Sequence, residues 1–395
     1  MKLSRYHIVS AFFIALLFLP LTQQLTGFLS VAKLAGVEKE VQLPSWSITS
    51  WLNKEFQQSF DAWFNSHAGL RPWMVRTAKQ INYSLFGQEP EGTGTRVYIG
   101  RDNFLFEEPY ITAYNEPGTK RQQLLHDITW GLWRFQQLLE QHDIAFLLVL
   151  APSKAEIYPE YLPDKMKKPG REKRLSHYQR MVPMLEEFGI NYIDGHKLFL
   201  DWKKKGAPLL FSRGGTHWNY YAAGRIVQEV IANISSRTGE VFNNIDISSY
   251  RTDSQPVGTD NDLGDLLNLW FTDAITVEQV HPVFRHLPGT CRPNLLMIGD
   301  SFAFTLISIM EQENLFEQCD LLYYFKRRFS WPKGTDQPLD FSTLDLGKEL
   351  LSRDAVIIEI NEYWLPQYGF GILRPAIETL EDMDKTGKNI PAGKK

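Results

Sequence analysis

The 395-residue chain has only two cysteines, Cys291 and Cys319. A fold stapled by disulfides and any CxxC-type metal or redox site are therefore excluded. One-signed charge is also missing. Lys and Arg number 42 against 46 Asp and Glu, a net charge of −4, so neither a nucleic-acid-binding surface nor a polybasic lipid patch is expected. Internal repeats, low-complexity blocks and Cys/His clusters are lacking too, and no cofactor or metal is expected. Apolar and aromatic residues are plentiful: 43% of the chain is hydrophobic, with 11 Trp, 16 Tyr and 25 Phe. That composition excludes a collagen-like or disordered protein and is ample for a buried core. Flat rings serve core packing first, and sugar stacking where they face a cleft.

One long uncharged run stands at the start. Lys2 and Arg5 precede Ile8–Ala32, 25 residues without a charge, with Ala11–Leu19 strongly apolar. As a helix this run reaches roughly 37 Å, enough to cross a bilayer. Pro20, Gln23 and Gln24 weaken its second half, and Ser30-Val31-Ala32 offers the small residues of a signal-peptidase site. Residues 1–32 thus read as a membrane anchor or a cleaved signal. Lys33, Glu38, Lys39 and Glu40 cancel after the run, so the positive-inside rule places the rest of the chain outside the cytoplasm. The expected location is the inner membrane, single-pass with the bulk in the periplasm, or the periplasm after signal cleavage. Cys291 and Cys319 each precede a candidate strand, and a disulfide between them or two free thiols both remain open.

Residues 33–95 read as a linker and a helical extension, with helical patterns over Thr49–Phe64 and Pro72–Leu85 broken at Ala68-Gly69. Residues 96–382 read as one α/β domain, and residues 383–395 as a polar tail. Apolar strands at Ile144–Leu150, Asn191–Ile193, Asn294–Ile298, Leu321–Phe325 and Ala355–Ile360 alternate with helical patterns. Continuous apolar strands of this kind indicate a parallel sheet with helices on both faces. Ligands of such sheets bind beyond the carboxyl ends of the strands.

After Ile298 comes Gly299-Asp300-Ser301-Phe302, opening a helix. Glycine permits the sharp strand-to-helix turn, and Ser301 is lifted toward free backbone N–H groups able to hold an oxyanion; an ordinary N-cap is the plain alternative. Among nine histidines, His217 in Gly214-Gly-Thr-His-Trp-Asn219 follows glycines, opens a helix and adjoins the bulky Trp218. It is the candidate base for Ser301.

Together these segments resemble the AlgJ/AlgX family, the SGNH-hydrolase-like alginate O-acetyltransferases of bacterial exopolysaccharide machinery. The resemblance runs through Phe60–Trp63, Gly69–Arg71, Tyr98–Phe106, Ala151–Lys154, Ile157–Pro159, Leu162-Pro163, Thr216–Trp218, Gly264–Leu266 and Gly299–Ser301. It implies an SGNH-hydrolase-like fold in circularly permuted motif order, histidine before serine. The family's Asp-Thr-His-Trp block supplies the triad acid at a position that is Gly215 here. Asp194, after a strand, is the first replacement to consider, with Asp265 and Glu362 behind it; a Ser301–His217 dyad or an inactive scaffold are the other outcomes. Lys154, Trp218, Arg327 and Asn361 are candidate substrate contacts, with Arg328 and Trp364 near them. Asp300 is read as shaping the nucleophile turn.

The expected function is extracytoplasmic O-acetylation of an exported or cell-surface polysaccharide through a serine acyl-enzyme. The alternatives are a non-catalytic polysaccharide-binding or assembly subunit, or a carbohydrate esterase. The resemblance implies a membrane-bound O-acyltransferase as the acetyl supplier. No separate C-terminal carbohydrate-binding module is expected after residue 365, and no nucleic-acid partner.

Overall fold

The computed structural model describes residues 5–36, 41–87, 96–116, 122–171 and 174–386. Most of the expected tail lies outside these, as do Lys2, Glu38, Lys39 and Glu40. The chain divides into two compact units, one of residues 1–97 with 263–272, the other of residues 98–262 with 273–395.

The first unit is helical. Its α1 (Arg5–Thr26) is the one helix among the described residues long and apolar enough to cross a membrane. Then come α2 (Ile48–Leu52), α3 (Glu55–His67) and α4 (Arg71–Phe86). Ser47 caps α2 by accepting a 3.0 Å bond from the Ser50 N–H.

Beyond α4 the chain forms β1 (Val97–Ile99), β2 (Leu105–Glu107), α5 (Glu108–Asn115) and α6 (Gln122–Glu140). Next are β3 (Ala145–Ala151), α7 (Lys154–Ile157), α8 (His177–Glu187), β4 (Tyr192–Asp194), α9 (Gly195–Lys204) and α10 (Tyr220–Thr238). The chain continues through β5 (Asn244–Asp253), α11 (Asp262–Leu266), β6 (Gln279–Leu287), β7 (Asn294–Gly299) and α12 (Ala303–Gln312). It closes with β8 (Gln318–Tyr323), β9 (Arg327–Trp331), β10 (Thr335–Pro338), α13 (Leu346–Leu351), β11 (Ala355–Asn361) and α14 (Leu373–Thr386).

Seven strands form the central sheet in the order β10-β9-β8-β7-β11-β3-β4. The five from β8 to β4 run parallel, while β9 and β10 add an antiparallel hairpin at one edge. The sheet is therefore mixed at that edge rather than wholly parallel: the short connection after Tyr323 reverses the chain, where a parallel partner needs a longer crossover. Alternate residues of each strand enter opposite layers. Leu147, Val149, Met297, Leu321 and Ile357 pack against α9, α10 and α12. Phe146, Leu148, Leu296, Ile298 and Ile358 pack against α6, α8, α13 and α14. On α6 the residues Leu125, Ile128, Leu132, Phe135 and Leu139 recur every three or four positions and are buried. Truncating Phe135, which has no exposed surface, to alanine costs about 3–5 kcal/mol.

Between α10 and β7 the chain makes an excursion that periodicity does not reveal. Strands β5 and β6 pair antiparallel, with a bulge between Ile247 and Ser249. Much of β5 is solvent-exposed, which is why no apolar run announces it. Cys291 and Cys319 are both free: Cys319 is buried in β8 opposite Leu295, and Cys291 lies outside the strands.

Candidate active site

Ser301 sits in the turn between β7 and α12, at the carboxyl edge of the sheet. Asp300 builds that turn: its Oδ1 accepts the Phe302 N–H at 2.9 Å and its Oδ2 accepts the Asn361 N–H at 2.8 Å. Beneath it lies Glu359, a carboxyl side chain with no exposed surface inside the apolar strand β11. Glu359 Oε2 accepts the Asp300 N–H at 3.2 Å. Burial first, then the neighbouring Asp300 charge, pushes Glu359 far above the usual carboxylate range; burial raises Asp300 as well. Two carboxyls forced together away from water cannot both ionise, so the pair holds a proton.

His217 comes from the loop between α9 and α10. That loop is tied at both ends and in its middle. Asn219 caps α10 by accepting the Ala222 N–H at 2.9 Å, and its own N–H donates to the Leu210 carbonyl at 3.0 Å. The Lys154 ammonium donates to the carbonyls of Ser212, Arg213 and Gly215 at 2.6, 2.8 and 2.7 Å. Burial draws Lys154 down to about 7, against the pull of Asp262. Trp218 is fully buried and its indole N–H donates to the Phe302 carbonyl at 3.1 Å. The Phe302 ring lies 4.7 Å from that of His217. Histidine loop and nucleophile turn are thereby locked to each other.

The resulting geometry is a relay. His217 Nε2 stands 2.7 Å from Ser301 Oγ, and His217 Nδ1 stands 2.5 Å from Asp262 Oδ2. A carboxylate only accepts, so Nδ1 carries the proton and Nε2 is left to accept the serine hydroxyl. Asp262 is itself oriented, its Oδ1 accepting the Thr216 N–H at 2.8 Å. Burial, the largest influence on His217, disfavours the charged ring. The hydrogen bond and charge of Asp262, then Asp300 and Glu107, outweigh it, and the ring's pKa is raised. Such an arrangement activates a serine and stabilises the imidazolium formed when its proton moves.

The acid facing His217 is thus Asp262, not Asp194. Asp194 accepts from the Tyr178 hydroxyl at 2.8 Å and from the Lys197 N–H at 2.9 Å, capping α9. Glu362 accepts from the Ser153 N–H and pairs with His196 at 2.9 Å. Asp265 belongs to the first unit. The Gly215 position cannot supply the acid, since a Cβ there would lie 2.8 Å from the Thr259 carbonyl oxygen and 3.1 Å from that of Asp260. With Asp262 in contact, His217 has a carboxylate partner despite the glycine at 215. The signal available was the acidic run Asp260-Asn-Asp262 just before Gly264-Asp-Leu266.

Several expected substrate contacts are placed elsewhere. Lys154 is 3% exposed, with its ammonium spent on three carbonyls. Trp218 has no exposed surface to offer a sugar. The Asn361 side chain is buried, donating to the Pro152 carbonyl at 3.2 Å and accepting the Tyr363 N–H at 3.0 Å. Arg327 is held by Asp336 at 2.6 Å on the edge hairpin, and Arg328 is tied to Asp320 and Glu349. The Phe302 N–H, one of the backbone donors near Ser301, is occupied by Asp300. What lies near the nucleophile is Tyr324, whose phenol interacts with the Ser301 side chain and has its pKa raised by burial and then by the Asp300 charge. Tyr324, Lys326, Trp364, Phe370 and Gly371 line a cleft of about 580 Å³. The Tyr324 ring meets Trp364 and Phe370 edge-on at 5.7 and 5.2 Å. Tyr324 was missed because it lies beyond the strand end, at a positive φ of 49° that no local pattern signals.

Residues 97–284 match the family model of the SGNH hydrolase-like domain of the acetyltransferase AlgX. That stretch holds His217 and Asp262 and stops before Ser301. A probable alginate O-acetylase AlgJ of Pseudomonas aeruginosa is 27% identical over 191 residues, covering 47% of this chain and 44% of that protein. The chain spans about half the length of the curated relatives it matches. Among solved structures, the O-acetyltransferase domain of Pseudomonas putida AlgJ is 15% identical with a TM-score of 0.43, covering 69% of this chain and 92% of that one. Pseudomonas aeruginosa AlgX is 16% identical with a TM-score of 0.45, covering 76% and 69%. Residues 97–284 are thus similar to the SGNH hydrolase-like domain of the acetyltransferase AlgX, and about half of the chain is similar to the curated AlgJ proteins.

Proposed function

We propose that this protein is an extracytoplasmic O-acetyltransferase that acetylates a polysaccharide through a serine acyl-enzyme. The observation that carries the reading is the continuous relay Ser301–His217–Asp262, with bonds of 2.7 and 2.5 Å. Ser301 Oγ attacks the carbonyl carbon of an acetyl ester or thioester while His217 Nε2 takes the hydroxyl proton. The tetrahedral intermediate collapses, the donor's leaving group departs with that proton, and acetyl-Ser301 remains. A sugar hydroxyl then gives its proton to His217 and attacks the acyl carbon, and Ser301 recovers its proton as the acetylated sugar leaves. Asp262 keeps the imidazole in the productive tautomer in both halves.

The aromatic cleft beside Ser301 is the acceptor site in this reading, with Trp364 and Phe370 offering ring faces and Lys326 a cation. The relatives named alginate O-acetylases favour an exported polysaccharide as acceptor. A membrane-bound O-acyltransferase supplies the acetyl group. Helix α1 either anchors the chain in the inner membrane with the catalytic unit in the periplasm, or is removed as a signal.

The test compares acetyl transfer to oligosaccharides and ester hydrolysis for wild type, Ser301→Ala and His217→Ala. Each variant should lose about 10⁴- to 10⁶-fold in kcat, and wild type alone should trap one acetyl group on Ser301 by mass spectrometry. Equal activity in all three proteins refutes the enzyme. Hydrolysis without transfer to any sugar makes it an esterase.

A further inference from the structure

The first unit exposes apolar surface that water would not tolerate unpartnered. None of α2, α3 and α4 contains a buried residue. Yet they carry Trp51, Leu52, Phe60, Phe64, Trp73, Ile81 and Phe86 with large exposed areas; Phe64, for example, is 53% exposed. Contiguous apolar patches of this kind mark a membrane or protein contact.

On α3 the pattern is sharply sided. Phe56, Phe60, Trp63, Phe64 and His67 fall, at about 100° per residue, within one arc of roughly 100°. Glu55, Gln58, Asp61 and Asn65 occupy the rest of the circumference. The rings form a continuous ladder, with centroid spacings of 6.0 Å for Trp51–Phe56, 5.8 Å for Phe56–Phe60, 5.6 Å for Phe60–Trp63 and 5.1 Å for Trp63–His67. Between Lys54 and Arg71 there is no Lys or Arg, while Glu55 and Asp61 are acidic. Attraction to anionic lipid is therefore not what this face is built for.

Its position supplies the partner. A Cβ on Gly69, in the elbow between α3 and α4, would lie 2.5 Å from the Pro20 carbonyl oxygen and 2.6 Å from the Gln24 nitrogen. The elbow thus packs directly on the last turns of α1, where the apolar run gives way to Gln23 and Gln24. An aromatic-faced helix held at the end of a membrane-crossing helix meets the headgroup layer, where Trp and Phe side chains are stabilised and charges are not required.

We infer that α3 is an interfacial helix, lying in the bilayer surface with Phe56, Phe60, Trp63 and Phe64 in the acyl–headgroup boundary. This rests on α1 remaining in the membrane as an anchor. The docking restricts the tether, so that the chain after α4 starts from a fixed height above the lipid instead of from a free linker.

The experiment places the full chain in phosphatidylcholine nanodiscs containing a phosphatidylcholine photoactivatable near its glycerol, and maps adducts by mass spectrometry. Adducts are expected on α1 and on the aromatic face of α3, about tenfold above those on Gln58 and Asn65. The yield should not change when phosphatidylglycerol replaces part of the phosphatidylcholine. A Phe60→Glu, Trp63→Glu double variant should keep α1 adducts and its helical circular dichroism while losing those on α3. Adducts on α1 but none on α3 overturn the inference and leave the anchor standing. No adduct on α1 overturns the anchor itself. Labelling of α3 only in anionic lipid, or α3 crosslinked to protein in place of lipid, refutes the aromatic interfacial helix.

Discussion

Replacing Asp262 with asparagine isolates the acid of the relay. The variant preserves shape, and its carbonyl oxygen can still accept the Thr216 N–H that now bonds Asp262 at 2.8 Å. Its NH2 group then faces His217 Nδ1, which must become an acceptor. The proton moves to Nε2, and Nε2 can no longer take the proton of Ser301. Charge is lost as well. With the imidazolium and carboxylate charge centres about 4 Å apart and an effective dielectric near 20, their attraction is about 4 kcal/mol. The Asp262 side chain is 26% exposed and that of His217 10%, so solvent screening reduces this to about 2–3 kcal/mol. That alone is roughly 30- to 150-fold in rate, and the wrong tautomer carries the loss toward the ~10⁴-fold seen where a buried triad aspartate is so changed.

The prediction is a fall in kcat/KM of about 10²- to 10⁴-fold, read with a chromogenic acetyl ester, at unchanged thermal midpoint. The pH profile gives a second reading. His217 must be neutral to act as base, and its pKa is raised, so the wild-type rate falls on the acid side from above the ordinary histidine value. Any residual activity of Asp262→Asn should have its acid limb moved to lower pH, because burial then acts unopposed by that carboxylate. Loss of less than about threefold, or an Asp194→Asn variant as impaired as Asp262→Asn, refutes the assignment.

Glu359→Gln keeps an acceptor for the Asp300 N–H and should hold stability near wild type, whereas Glu359→Leu leaves that buried N–H without its partner and should cost about 1–3 kcal/mol in urea unfolding. Because the folded-state pKa of Glu359 is raised, its contribution is fully present below the unfolded value and is lost as pH rises through the folded one; Glu359→Gln should flatten that decline, and an unaltered pH slope refutes the shared proton. Lys154→Met cuts three ties of the histidine loop and should lower kcat by about 10²-fold with KM little changed; normal kcat would show that the loop holds His217 without it.

The sheet was legible because buried parallel strands are apolar throughout: Ala145–Ala151 is shifted by one residue from its expected bounds, and Ala355–Asn361 runs one residue past its expected end. Ser301 and His217 were legible because a strand-end glycine and a glycine-flanked histidine are local patterns. The edge hairpin and the β5–β6 pair were not, since their exposed residues carry no apolar alternation and short strands at an edge are set by pairing partners far away in sequence. The acid escaped for a related reason. Asp262 is brought to His217 by an excursion of 45 residues, and nothing in its immediate sequence distinguishes it from Asp260 or Asp265. Lys154 was legible as important but not in its role, because only burial reveals that its ammonium serves carbonyls of the same chain.

Gly215 and Asp262 are two aspects of one arrangement. The block that this chain resembles has an aspartate two residues before its histidine, where this chain has Gly215. Here the 257–262 segment comes so near that its Thr259 and Asp260 carbonyl oxygens occupy the space of any side chain at position 215. The same segment ties itself down through Asp260, which accepts from the Ser212 hydroxyl at 2.8 Å and from the Val257 N–H at 3.1 Å. Those bonds fix the backbone from which Asp262 reaches both the Thr216 N–H and the His217 ring. Restoring an aspartate at 215 would therefore not add a second acid to this site; it would push away the segment that supplies the present one. On this geometry the loop after β5 delivers the Asp262 carboxylate to His217, where position 215 carries no side chain.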